Sequence, residues 1–290
     1  MVINKMKTMK NFNDKNWFEQ WLVGFTDGDG TFFISYQNNK WNLVYKIALS
    51  RYNLRALYFI KKQLGFGSIN KDNSKAQFVI RDRKIIEAKI LPVFDKYPLL
   101  TSKQFDYLKF RQALFILNSK DLNQDEKYKK LFSLKNEKLP ENYISSSWNN
   151  VALPVKSVNY IKDIVTKPWL VGFVEAEGSF YLTSKDSLRV VHGFGITQKL
   201  DSIVLESIRL ILHIPTKIRY KSKHNYYILD TTNSRAVENI IEYFHNTMKG
   251  MKSPEYRIWS RSYTKHKGNY DKLFYIRVIL RKMKKKLVEL

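Results

Sequence analysis

Asp29 and Glu177 are the residues of this sequence best placed to do chemistry. They occupy matching positions in two related stretches, WLVGFTDGDGTFF from Trp21 to Phe33 and WLVGFVEAEGSFY from Trp169 to Tyr181, in which 7 of 13 positions are identical. The copies lie 148 residues apart in a 290-residue chain, which reads as an internal duplication. Glycine inside a helix costs roughly 1 kcal/mol relative to alanine, so Gly24 and Gly28, four apart like Gly172 and Ala176, call for a reason, and close approach of two backbones is one. If the two segments pack along these small residues, Asp29 and Glu177 end side by side in an acidic centre shared by both halves. A carboxylate at a helix C-terminus opposes the macrodipole by a few tenths of a kcal/mol to about 1 kcal/mol. The same unfavourable placement made twice, symmetrically, marks a site.

The elements that must hold these acids follow from periodicity. Trp17, Trp21, Gly24 and Gly28 share one helical face beside Phe18, Leu22 and Phe25; Trp169, Gly172 and Ala176 repeat it beside Leu170 and Phe173. Pro168 suits a first helical turn, and Gly30 and Gly178 are expected to end the helices as left-handed caps. Beyond them the period changes to two, with Phe32, Ile34 and Tyr36 in one half and Phe180 and Leu182 in the other. Each motif is a helix feeding a strand.

LVGFTDGDG and LVGFVEAEG resemble the two signatures of double-motif LAGLIDADG homing endonucleases and intron maturases. The resemblance implies an α+β fold of two pseudo-symmetric αββαββα repeats. Their antiparallel sheets would form a saddle on DNA, with the motif helices packed at the interface. It also implies that Asp29 and Glu177 bind divalent metal, Mg2+ for cleavage, with Mn2+ able to substitute and Ca2+ supporting binding without cleavage. The inner acids Asp27 and Glu175 are not catalytic in that family. Lys103 in TSKQFDYLKF and Lys252 in GMKSPEYRIW, 149 residues apart, resemble its active-site lysines, which suit phosphodiester hydrolysis because transition-state charge needs stabilising. Gln198 in GITQKLD is similar to its water-organising glutamine; at a 148-residue offset its counterpart is Ser50, beside Arg51, a departure from the pattern.

Bulk composition agrees with a polyanionic partner. The net charge is +25 and the pI about 9.9, with 18 Tyr, 18 Phe and 6 Trp, a mixture suited to nucleic acid. No apolar run is long enough to span a bilayer. Zero cysteines exclude disulfides, thiolate zinc sites and cysteine nucleophiles. The five histidines, all in the second half, lack ligand-like spacing. The N-terminal segment is basic without an apolar core or an arginine, which argues against an import peptide. Abundant Lys and Asn fit AT-rich coding, and the resemblance implies an organelle-encoded protein, mitochondrial before chloroplast.

Along the chain, helices and strands recur in the same order in residues 1–117 and 158–290. Residues 118–157, with Pro140, Pro154 and Ser145 to Ser147, read as a linker with some helix in it. Strand alternation places Phe33, Ser35, Gln37, Lys46, Gln77 and Arg81 outward in the first half. In the second half it places Tyr181, Thr183, Lys185, Lys217, Arg219 and Lys221 outward, with Ile218 and Tyr220 inward. Such rows of long polar side chains suit base-edge and phosphate contacts. Strands of about 8 residues reach roughly 26 Å, giving an expected site of about 15 to 20 base pairs of double-stranded DNA at 3.4 Å per step. The expected protein is a monomer without a membrane partner, and its own intron RNA is the alternative partner, as a splicing maturase.

Overall fold

The computed structural model describes residues 14–151 and 158–285. The first thirteen residues and Pro154, both part of the sequence reading, lie outside the described residues. Helix α1 (Lys15–Asp29) starts on Asp14, whose side chain accepts from Asn16 N–H, and runs directly into β1 (Gly30–Gln37). Asn38 and Asn39, at φ 50° and 57°, make the two-residue turn into β2 (Lys40–Ser50). Then come α2 (Leu54–Leu64), β3 (Ser68–Lys71) and β4 (Lys75–Ile80). Gly65, at φ 79°, ends α2 in the left-handed conformation.

The expected helix after β4 is present but widened. α3 (Arg83–Ile85), a π turn (Ile86–Ile90) and α4 (Leu91–Lys96) run on as one element. Pro92 explains the π turn, because proline has no N–H for the residue four back and its ring crowds that carbonyl. α5 (Lys103–Asn118) carries the first lysine at its start, and α6 (Gln124–Asn136) follows under a capping box built by Asn123 and Glu126.

Residues 118–157 therefore hold more than connection. Leu131 and Leu134 of α6 and Trp148 of a 3-10 turn are buried, and Tyr128 of α6 stands 5.1 Å from the Tyr36 ring at the end of the first sheet. α7 (Val158–Ile164) leads to the second repeat: α8 (Lys167–Glu177), β5 (Ser179–Ser184), β6 (Val190–Gln198), α9 (Ser202–Ile211), β7 (Arg219–Lys221), β8 (Tyr226–Thr231), α10 (Ser234–Tyr243), α11 (Lys252–His266) and α12 (Tyr270–Lys285). α12 sits where α6 sits: it follows the lysine helix, and its Leu273 and Leu280 pack with Leu182 and Val190 at the end of the second sheet.

The two sheets are antiparallel, in orders β1-β2-β4-β3 and β5-β6-β8-β7. The α+β pseudo-symmetric architecture expected from the motifs is the one observed. One continuous core runs from Trp21 and Phe25 through Phe173, Phe194 and Trp259, so both halves share it. Two details depart from expectation. Gly30 and Gly178 are extended (φ −79°, ψ 160° and φ −71°, ψ 154°), not left-handed, because the strands begin at once. They must be glycine for space: a Cβ would lie 2.3 Å from Thr26 Cγ2 at Gly30 and 2.6 Å from Val174 Cγ1 at Gly178. Tyr220, expected inward, is 52% exposed, because β7 is a three-residue edge strand and the ring leans along the sheet onto Tyr227.

His192 is a buried part of the second half, its Nε2 2.8 Å from Ser262 Oγ and its ring edge-on to Tyr263. Burial pulls its pKa down to about 4, below its ordinary 6.5, so the unfolded chain takes up a proton that the folded one refuses. Stability is then lost as pH falls from about 6.5 to about 4, by about 3 kcal/mol in all. Asp201, pushed up to about 6 by burial, acts oppositely, so the comparison needs a variant. Denaturant titrations at pH 7 and 4.5 are expected to show a smaller acid loss in His192→Gln than in the parent; equal losses would refute the assignment.

Candidate active site

The glycine faces bring α1 and α8 into backbone contact. A Cβ built on Gly24 would lie 1.9 Å from the Trp169 carbonyl oxygen, and one on Gly172 would lie 2.0 Å from that of Trp21. A Cβ on Gly28 would meet Ala176 Cβ at 2.3 Å and Glu177 Cγ at 3.1 Å. The helices therefore stay in contact through to their C-terminal ends, with the Glu177 side chain lying over Gly28, one residue from Asp29. Both carboxyls are half-buried, and burial raises both pKa values. For Glu177 the negative charge of Asp29 raises it further, while Lys103, Lys252 and a hydrogen bond from Gln198 act against the rise.

The inner acids do structural work. Asp27 is buried and accepts Leu100 N–H at 2.9 Å, Thr101 N–H at 3.0 Å, the Thr101 hydroxyl at 2.5 Å and Trp169 Nε1–H at 2.8 Å. Glu175 accepts Lys249 N–H at 2.8 Å and Gly250 N–H at 2.7 Å. Each acid thus ties its motif helix to the loop that launches the lysine helix. In the first half that loop is also clamped from 118–157, where Ser145 Oγ donates to Leu99 O at 2.6 Å and Trp148 Nε1 to Leu100 O at 2.8 Å.

The lysines return to the acidic centre. Lys103 Nζ donates to Thr26 O at 3.1 Å and also to Gly28 O; Lys252 Nζ donates to Gly178 O. Burial lowers the Lys103 pKa, against the opposing pull of Asp27, Asp29, Glu177 and Asp106. Gln198, at the end of β6, reaches Glu177. Its counterpart needs correction. Phe32 pairs with Tyr45 and Phe180 with Phe194, so the second hairpin has one more residue, and strand register matches Gln198 to Leu49 rather than Ser50. Leu49 is buried and apolar. A cleft of about 460 Å³ opens on that side, lined by Asp29, Leu49, Ser50, Tyr52, Lys252 and Glu255 among others.

The residues expected on the outer sheet faces are unevenly presented. Phe33, Gln37 and Arg81 are exposed, Lys46 and Gln77 half-buried, and Lys46 Nζ lies 5.6 Å over the Phe33 ring. Ser35 is buried at 7% exposure, being too short to rise above its neighbours, which corrects its expected surface role. In the second half Tyr181 and Thr183 are half-buried and Lys221 is exposed. Lys185 and Lys217 are exposed but lie outside the strands, because β5 stops at Ser184 and β7 starts at Arg219. Arg219 is held by Asp230 at 2.6 Å. Register also orients β6: His192, Phe194 and Ile196 face the core, and Gly193 and Gly195 lie outward beneath Tyr181.

The arrangement suits a hard cation. Two carboxylates of like charge lie together there, and Lys103 and Lys252 offset part of their mutual repulsion. Among the described residues no group of three or more His, Cys, Asp and Glu could hold a metal ion, so further ligands would come from backbone, water or a bound phosphate.

The LAGLIDADG endonuclease model matches residues 22–114 and 170–263, both repeats. The chain belongs to the LAGLIDADG endonuclease family. It is 41% identical over 280 residues to the probable intron-encoded endonuclease Cox1-I1b of Schizosaccharomyces pombe, covering 93% of this chain and 70% of that protein. It is 32% identical over 203 residues to the uncharacterized mitochondrial protein RF1 of Saccharomyces cerevisiae, covering 69% of this chain and 39% of that one. Among solved structures, the LAGLIDADG fold here is similar to the meganuclease I-SmaMI bound to uncleavable DNA, with a TM-score of 0.74 and 26% identity over 92% of this chain and 98% of that one. The same meganuclease bound to cleaved DNA gives 0.72 and 27%, covering 89% and 95%.

Proposed function

We propose that this protein is a metal-dependent homing endonuclease that cuts both strands of duplex DNA at a long, nearly asymmetric site. The observation that carries this reading is the placing of Asp29 and Glu177 together beside two half-buried lysines, in a chain of net charge +25. Asp29 and Glu177 would hold Mg2+, which supplies charge neutralisation and a more acidic bound water. Lys103 and Lys252 stabilise charge on the phosphate in the transition state, and Gln198, fixed on Glu177, orients water. Phe33, Gln37, Lys46, Gln77 and Arg81 of the first sheet and Tyr181, Thr183, Arg219 and Lys221 of the second, with Lys185 and Lys217 just beyond its strand ends, face the DNA. Repeats 1–117 and 158–290, joined by 118–157, each take one half-site, so the protein acts as a monomer. The intron-encoded relatives and the yeast mitochondrial one support a mitochondrial setting.

The test is Mg2+-dependent linearisation of a plasmid carrying the sequence joined across the intron insertion point. Cutting supports the reading; binding of the intron RNA with no cutting of any flanking sequence replaces it with a maturase. With about 6 to 10 phosphate contacts, DNA affinity is expected to fall about 10³- to 10⁵-fold between 50 and 200 mM salt. A flat gel-shift titration over that range would exclude a nucleic-acid partner.

A further inference from the structure

Each lysine helix begins on a backbone N–H held by the other half of the molecule. Ser102, the residue before α5, donates its N–H to Asp201 Oδ1 at 2.8 Å and its hydroxyl to Oδ2 at 2.9 Å. Met251, the residue before α11, donates its N–H to Asn53 Oδ1 at 2.9 Å. Asp201 and Asn53 are themselves equivalent, 148 residues apart, each immediately ahead of its own helix, α9 or α2.

Both are residue types that cap helices well, and neither caps its own helix. An N-cap side chain contributes about 1 kcal/mol, and both side chains are instead turned across the interface. Asp201 also holds a left-handed backbone, φ 60°, uncommon for a residue with a Cβ. Gly250 leaves room for the second contact, since a Cβ there would lie 2.4 Å from Asn53 Oδ1. The same local preference is forgone at two symmetric places, and both times the group gained is the first turn of a lysine helix. Ser102 and Met251 each precede a lysine by one residue, and neither uses its own side chain as a cap.

We propose that Asp201 and Asn53 are positioning residues that act crosswise: Asp201 of the second half sets Lys103 of the first, and Asn53 of the first half sets Lys252 of the second. The inference rests on the reading of Lys103 and Lys252 as active-site groups. Neither half assembles its own lysine alone, so the active centre is complete only when both repeats are docked.

The test uses the full chain and a duplex of the joined sequence with each strand labelled separately. Lys103→Met and Lys252→Met first identify the strand each lysine serves. Asp201→Ala is expected to slow the strand slowed by Lys103→Met, and Asn53→Ala the strand slowed by Lys252→Met, by about ten- to a hundredfold. Nicked product should accumulate while affinity for DNA in Ca2+ is unchanged. Asp201→Asn is expected to restore most of the rate, since an amide oxygen still accepts Ser102 N–H, as Asn53 does for Met251. Ser102→Ala, which deletes only the hydroxyl contact, should slow the Lys103 strand more weakly, and it keeps the test open if Asp201→Ala folds poorly. If the lysine variants are strand-selective but Asp201→Ala, or Ser102→Ala, slows both strands equally or the opposite strand, the crosswise inference is overturned and the lysine reading stands. If a lysine variant slows no strand selectively, the lysine reading fails and the inference with it.

Discussion

Asp29→Asn and Glu177→Gln are each expected to remove double-strand cutting, by at least about 10²- to 10³-fold, the loss typical when one preorganised charged group is taken from an active site. Both changes keep the size and shape of the side chain and take away one negative charge. The centre between α1 and α8 then loses half of what would hold a cation, while its repulsion toward phosphate falls. DNA binding measured by gel shift in Ca2+ should persist or tighten. Asp27→Asn is the contrasting variant. Its four hydrogen bonds hold the 100–101 loop and Trp169, so its loss should lower Tm while leaving much more activity at a permissive temperature. Full cutting by the Asp29→Asn and Glu177→Gln proteins would sink the assignment.

Gly24→Ala and Gly172→Ala are expected to be among the most damaging single-methyl changes in the chain. Alanine is favoured over glycine in a helix by roughly 1 kcal/mol, so propensity alone predicts stabilisation. The added carbon would instead lie 1.9 Å from the Trp169 carbonyl oxygen or 2.0 Å from that of Trp21, and what it meets is backbone, which cannot swing aside. The helices must part, at an expected cost on the order of 3 kcal/mol or more. Gly65→Ala is the comparison: nothing lies within 4 Å of its added carbon, and only the backbone at φ 79° resists, for about 1 kcal/mol. Denaturant midpoints should fall in that order. A Gly24→Ala protein as stable as the parent would mean that α1 and α8 are not in backbone contact, and would remove the basis for placing Asp29 beside Glu177.

Much of the candidate site could be read before any coordinates, for a physical reason. Close helix packing demands small residues at fixed spacing, and that demand, met twice, is visible as Gly24, Gly28, Gly172 and Ala176. The acids follow from the helix ends, and the lysines from the family resemblance, with a spacing of 149 residues that agrees with the repeat. What escaped depended on distances that only the folded chain sets. One extra residue in the β5–β6 connection shifts the strand register against the helices, so a constant offset chose Ser50 where pairing chooses Leu49. The contacts of Asp201 and Asn53 join residues far apart in sequence, and nothing local distinguishes them from ordinary helix caps. Alternation put Ser35 and Tyr220 on the right kind of strand but could not tell that one is overshadowed by longer neighbours and the other sits on an edge. The forked hydrogen bonds of Asp27 and Glu175 left a trace only as acids two residues before Asp29 and Glu177.

The bare backbone at Gly193 has a bearing on how a target can evolve. A Cβ there would lie 2.3 Å from the Tyr181 ring, so the ring rests flat against the second sheet. The matching strip of the first sheet carries Lys46 above Phe33. A flat ring over bare backbone has few donors or acceptors with which to tell four base pairs apart; it accommodates shape and thymine methyl groups. If these sheet faces meet duplex DNA as proposed, discrimination would be spread unevenly, with a tolerant patch under the ring and stricter positions under the long polar side chains. Silent changes in a host gene that fall under such a patch would then leave the site cleavable, which would let an invading element follow its target across diverging genomes.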